Sequence, residues 1–145
     1  MMKSLKLITF FIAILGLSCF SKSEAQIPNA VKEAFASKYP GEKGYDWEKD
    51  SHGNIEIQFK RNGEQYRADF TKDGRWIETE VSIKAKELPI AILKRIENDF
   101  GDREINEVEL VEHATKGKFY DVEFKRKGKN LDVEFREDGT ILNGK

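Results

Sequence analysis

The residues able to do chemistry are few, and their spacing does not suit a reaction. The two histidines, His52 and His113, each fall in a polar stretch that reads as a loop. The single cysteine, Cys19, lies in the apolar N-terminal segment, so no thiol stands beside a histidine base. There is no His-Glu-x-x-His, no glycine-rich phosphate loop and no Gly-x-Ser-x-Gly. His52 and His113 occupy matching places in two similar stretches, but matching places need not be close in space. Solvated loop histidines are therefore expected, with no metal ligands, no catalytic residues and no cofactor.

Carboxylates and tryptophans remain, and their placement depends on an internal repeat. Residues 55–77, IEIQFKRNGEQYRADFTKDGRWI, return without a gap as residues 120–142, YDVEFKRKGKNLDVEFREDGTIL. Phe59, Lys60, Arg61, Gly63, Phe70, Asp73 and Gly74 reappear as Phe124, Lys125, Arg126, Gly128, Phe135, Asp138 and Gly139. Such self-similarity sets the plan of the fold. Ile55, Ile57 and Phe59 alternate with Glu56, Gln58 and Lys60, the period of a half-buried strand. Asn62-Gly63 is the favoured pair for a type I′ hairpin turn. It sets Arg61 opposite Glu64, Phe59 opposite Tyr66, Ile57 opposite Ala68 and Ile55 opposite Phe70, so the large apolar residues share one face. The second copy then sets Phe124 against Leu131, Val122 against Val133 and Tyr120 against Phe135. Its other face places Glu123 opposite Asp132 and Asp121 opposite Glu134, with Glu107 and Glu109 projecting to the same side from the preceding strand.

Directly opposed like charges are unfavourable. Glu107, Glu109, Asp121, Glu123, Asp132 and Glu134 together are either a soluble, aggregation-resistant surface, relieved by Lys125 and Arg136, or a docking face. As a docking face they suit a basic partner better than calcium, because flat strands rarely wrap an ion. Trp76 is the other candidate anchor. A two-residue Asp73-Gly74 turn pairs it with Thr71 on the outer face, whereas a longer turn swings it inward. Trp47 shares a strand face with Tyr45 and is expected in the core.

Each copy opens with an apolar residue and proline, Ile27-Pro28 and Leu88-Pro89, which suits a helix start. Ile27, Val31 and Phe35 form one helical stripe, and Ile92, Ile96 and Phe100 the other. Tyr39-Pro40-Gly41 and Gly101 stop the helices. Short strands near residues 45–49 and 105–111 follow, and the second copy carries its extra residues in the stretch 113–118. The expected fold is α+β: a tandem repeat of a helix plus a four-stranded antiparallel meander, with the helices packed on one face of the sheet.

Residues 1–25 read as an export signal. Lys3 and Lys6 precede an apolar run, and Ser23-Glu24-Ala25 is a small-x-small site, with cleavage expected before Gln26. That run is short of the about 20 residues a membrane span needs. Gly16-Leu17-Ser18-Cys19 loosely resembles a lipoprotein signal, so a lipid anchor at Cys19 is the secondary alternative. A periplasmic or secreted location follows, with no membrane span in the mature chain. The formal net charge of −1 argues against nucleic acid, and the basic stretch FKRKGK around Lys125 reads as a polar hairpin tip.

The proline-opened helix ending Tyr39-Pro40-Gly41, Trp47-Glu48, the hairpin, and the turn of Phe70, Asp73-Gly74 and Trp76 together resemble the PepSY-like family of exported Bacteroidetes proteins, described as beta-lactamase-inhibitor-like. Leu88-Pro89, Ile92, Phe100, Phe135 and Asp138-Gly139 carry the same resemblance in the second copy. It divides the chain into a signal at 1–25, a first PepSY-like repeat at 26–84 and a second at 85–145, forming one compact unit. It implies a non-enzymatic binding module, inhibitor-like or peptidase-regulating, with another protein (a peptidase or an envelope protein) as partner. The contrasting expectation is a periplasmic small-ligand or divalent-cation binding protein. Val108 stands where the first copy has Trp47, Asp102 where it has Gly41, and residues 26–145 contain no cysteine.

Overall fold

A computed structural model describes residues 27–43 and 45–144. The expected export signal, its expected cleavage site and Cys19 lie outside the described residues. The element order is α1 (Asn29–Lys38), β1 (Asp46–Lys49), β2 (Ile55–Arg61), β3 (Glu64–Phe70), β4 (Trp76–Ser82), a 3-10 turn (Ala85–Glu87), α2 (Ile90–Phe100), β5 (Ile105–His113), β6 (Gly117–Phe124), β7 (Leu131–Phe135) and β8 (Ile141–Gly144). The strands form one antiparallel sheet in chain order, β1 to β8. The fold is thus α+β, with two helices and eight strands among the described residues.

Helices of 10 and 11 residues do not persist alone in water, so each depends on the sheet beneath it. Each begins at its proline. The Pro28 carbonyl accepts the amides of Val31 and Lys32 at 3.0 and 3.1 Å, and the Pro89 carbonyl accepts those of Ile92 and Leu93 at 3.0 and 3.1 Å. Val31 and Phe35 pack on Ile55, Ile57, Phe59, Ala68 and Phe70. Ile92 and Ile96 pack on Val108, Val122, Phe124, Val133 and Phe135. The core is therefore two clusters on one side of a shared sheet, each capped by its own helix.

A close backbone contact also ties each helix to its half of the sheet. The turns at Gly74 and Gly139, both at φ +85, lie against the first helical turn so closely that a Cβ would sit 2.5 Å from the Ala30 carbonyl oxygen and 2.9 Å from that of Ala91. The recurring Asp-Gly pair is thus a docking point for the helix as well as a strand connector.

The registers of β2 with β3 and of β6 with β7 are those expected from the alternation. Asn62 and Gly63 take φ 53 and φ 87, as a type I′ turn requires. Two details differ from expectation. His113 is the last residue of β5 rather than a loop residue, because β5 extends to pair with β4 as far as Glu78↔His113. The β6–β7 ladder stops at Phe124↔Leu131, whereas β2–β3 continues to Arg61↔Glu64. Lys127 stands where the first copy has Asn62, and it does not adopt the positive φ a type I′ turn needs.

Candidate functional site

The alternation that buries one side chain sends its neighbour to the face away from the helices, so the register fixes what that face carries. In the first half Glu48, Glu56, Asp69 and Glu78 stand directly opposite one another across β1 to β4. In the second half Glu109, Asp121 and Glu134 do the same across β5 to β7, with Glu107, Glu123 and Asp132 forming a parallel row. All six acidic residues singled out from the sequence share this face.

The centre of the face is enclosed. Glu80 is 7% exposed, and it is flanked by Arg67 on β3 and the buried Val111 on β5. Arg67 makes an ion pair with Glu80 and approaches Glu56 at 3.8 Å. Burial lowers the Arg67 pKa, but Glu80, Glu109 and Glu56 together raise it overall. Burial, then Glu109, push Glu80 up to about 8 against the pull of Arg67. Burial raises Asp69 to about 6, with Glu78 and Glu56 adding to the rise and Arg67 opposing it. Burial, Asp132 and Glu134 raise Asp121 to about 6. Burial also raises Glu109. Asp69 Oδ1 and Asp121 Oδ1 are enclosed and accept no hydrogen bond. These carboxylates therefore lack the donors that would stabilise their charge.

The expected relief of this charge by Lys125 and Arg136 is not what the structure shows. Lys125 pairs with Glu104 at 2.6 Å, and Arg136 donates to the Lys118 carbonyl at 2.8 Å. Lys116 instead reaches Glu134 at 2.7 and 3.0 Å, and Asn106 donates to Glu123. Lys116 lies in the β5–β6 turn, and its reach to β7 is a tertiary contact that strand alternation cannot foresee.

Trp76 does not join the acidic face. The turn after Phe70 is the longer kind, closed by Thr71 N–H to Arg75 O and Gly74 N–H to Thr71 O, with a register shift that pairs Phe70 with Trp76. Trp76 is thereby half-buried on the helix side, packed against the first cluster with Trp47. Its Nε1 donates to Thr79 Oγ1 at 3.0 Å, Thr79 also meets the Tyr39 hydroxyl, and Lys38 Nζ lies 3.5 Å from the ring centre.

The sequence reading passed over Arg67, Glu78 and Glu80. The alternation in WIETEVS put the two glutamates on one face. What it lacked was the β4–β5 pairing, which sets them at the centre of the sheet. His52 is exposed and close to Asp50, while His113 Nδ1 accepts the amides of Thr115 and Lys116 at 3.1 and 3.2 Å. Among the described residues no group of three or more His, Cys, Asp and Glu is arranged to hold a metal ion, and no helix is long and apolar enough to cross a membrane.

A helix-backed, eight-stranded antiparallel sheet with a carboxylate-rich outer face defines a small α+β protein. The family described as "Putative beta-lactamase-inhibitor-like, PepSY-like" matches residues 20–66 and 54–143, and the chain belongs to that family. Among solved structures it is similar to a BLIP-like protein of Bacteroides fragilis, with TM-score 0.70 and 22% identity over 81% of this chain and 85% of that one. A Bacteroides uniformis protein matches with TM-score 0.73 and 19% identity over 81% and 88%. A Bacteroides eggerthii protein described as "putative periplasmic" matches with TM-score 0.71 and 21% identity over 81% and 87%. At these identities the likeness shows the fold. A comparison with curated proteins finds no match.

Proposed function

We propose that this is an exported, non-enzymatic binding module that docks a basic surface of another protein, a peptidase or an envelope protein, on the sheet face away from its helices, and so regulates or inhibits it. The observation that carries this reading is the pair of cross-strand carboxylate rows, Glu48–Glu56–Asp69–Glu78 and Glu109–Asp121–Glu134. Opposed like charges cost stability. A cationic partner would offset that cost and would be steered in by the same field. The family's inhibitor-like description supports a protein partner. The periplasmic description of a structural neighbour, together with residues 1–25, supports export, with the mature chain starting at Gln26.

Envelope extract passed over the immobilised protein should yield a partner that binds more slowly as salt rises. It should bind the Asp121→Asn/Glu123→Gln variant more slowly still. Binding indifferent to both salt and these substitutions would remove the acidic face from the reading. Intact mass from the native envelope should begin at Gln26, and a mass retaining residues 1–25 would refute export by cleavage.

A further inference from the structure

The two halves are not interchangeable, and their main difference in length has a structural product on the helix side. In the first half β1 pairs with β2 over four positions. In the second, β5 and β6 pair as far as His113↔Gly117. The added length sets Glu112 opposite Thr79 of β4 and opposite Lys118 of β6. It raises one wall of a groove of about 530 Å³ between the two helix-capped clusters. Tyr66, Val81 and Leu110, successive partners across β3, β4 and β5, make its apolar floor, and Trp76 stands at its side. Val81 is 8% exposed but belongs to neither cluster.

The charged residues lining this groove are one of each sign, Glu112 and Lys118. They are direct cross-strand neighbours, yet among the described residues neither forms an ion pair. Lys118 Nζ rests 5.7 Å from the Tyr120 ring centre. Trp76 is held by its hydrogen bond to Thr79, so the aromatic wall is fixed before anything binds. An aromatic and aliphatic floor beside a carboxylate and an ammonium that form no ion pair among the described residues matches a molecule with an apolar body and adjacent opposite charges.

We infer that the groove between the helices is a binding site for a free α-amino acid with an aromatic or branched aliphatic side chain, its ammonium toward Glu112 and its carboxylate toward Lys118. This site lies on the opposite side of the sheet from the acidic face and does not depend on it.

The test titrates the protein carrying 15N labels with three probes of one body: L-phenylalanine, L-phenylalanine amide and N-acetyl-L-phenylalanine. The free amino acid should shift the amides of residues 79–81 and 110–118, and should bind at least about tenfold more tightly than either blocked form, a loss typical of one missing charged contact. Glu112→Gln should erase the preference over the acetylated probe, and Lys118→Met the preference over the amide, with the fold unchanged by circular dichroism. Equal or tighter binding of a blocked form would mean that the groove reads one end of a peptide and would overturn the assignment. Shifts confined to other surfaces, or no shift at millimolar probe, would overturn the site itself. The Asp121→Asn/Glu123→Gln variant should bind the amino acid as the wild type does, which separates this result from the fate of the acidic face.

Discussion

Gly74 and Gly63 have nearly the same backbone, φ +85 and φ +87, but different surroundings. A Cβ at Gly63 meets nothing within 4 Å, while one at Gly74 collides with the Ala30 backbone. Gly63→Ala should therefore cost only the left-handed strain, about 1 kcal/mol. Gly74→Ala should cost about 2–4 kcal/mol, because α1 must lift from the sheet. Urea unfolding of the two variants checks this, and equal losses would show that the contact does not hold the helix. Arg67 is the second decisive residue. Arg67→Met would leave Glu80 enclosed beside Glu109 without its cation. Its cost should be about 3 kcal/mol above about pH 8, where Glu80 is ionised, and should shrink as pH falls below about 8 and Glu80 takes up a proton. A cost that does not vary with pH would show that the loss is one of packing.

At the scale of elements, the two central hairpins share a sequence frame but not a turn. Arg61-Asn62-Gly63-Glu64 closes its ladder, while the frame around Lys127-Gly128 leaves the strands apart beyond Phe124↔Leu131. The difference is one residue's tolerance of positive φ. Lys127→Asn should close the second hairpin and stabilise it by about 0.5–1 kcal/mol, with new amide protection at residues 125–130 in hydrogen exchange. Unchanged exchange there would mean that the basic tip, not residue 127, keeps the strands apart. On the outer face the same hairpin carries Asp121 opposite Glu134 and Glu123 opposite Asp132. Asp121→Asn with Glu123→Gln should raise stability by a few tenths to about 1 kcal/mol at neutral pH. A loss would mean that the Asn106 contact to Glu123 outweighs the repulsion it relieves.

For the whole molecule, the sign of the pH dependence follows from the outer face. Burial raises Asp69 and Asp121 to about 6 and Glu80 to about 8, and Glu109 is raised as well. A raised carboxylate binds its proton more tightly folded than unfolded. Its contribution is complete below the unfolded pKa of about 4 and is lost as pH passes the folded value. Stability should thus fall between about pH 5 and about pH 8, by on the order of 1–3 kcal/mol after allowance for solvent screening. Asp50, Asp73 and Asp138, held low chiefly by hydrogen bonds in their turns, act in the opposite sense but only in stronger acid. Urea midpoints at fixed ionic strength check the trend, and a higher midpoint at pH 8 than at pH 5 would refute it.

Much of this architecture was legible in the chain itself. Strand alternation, Asn62-Gly63 and the proline-opened stripes are local, so they set the helices, both central hairpin registers and the face on which Glu107, Glu109, Asp121, Glu123, Asp132 and Glu134 appear together. What remained concerns residues joined only through long-range pairing. The β4–β5 ladder sets Glu80 in the enclosed centre of the sheet and brings Arg67, Glu80 and Glu109 into one field. The register shift at Phe70 turns Trp76 to the helix side. The extension of β5 makes His113 a strand residue and raises the groove wall. A side-chain period of two tells which residues share a face within a hairpin. It carries no record of which strand lies beyond, and only tertiary packing decided what the shared face encloses.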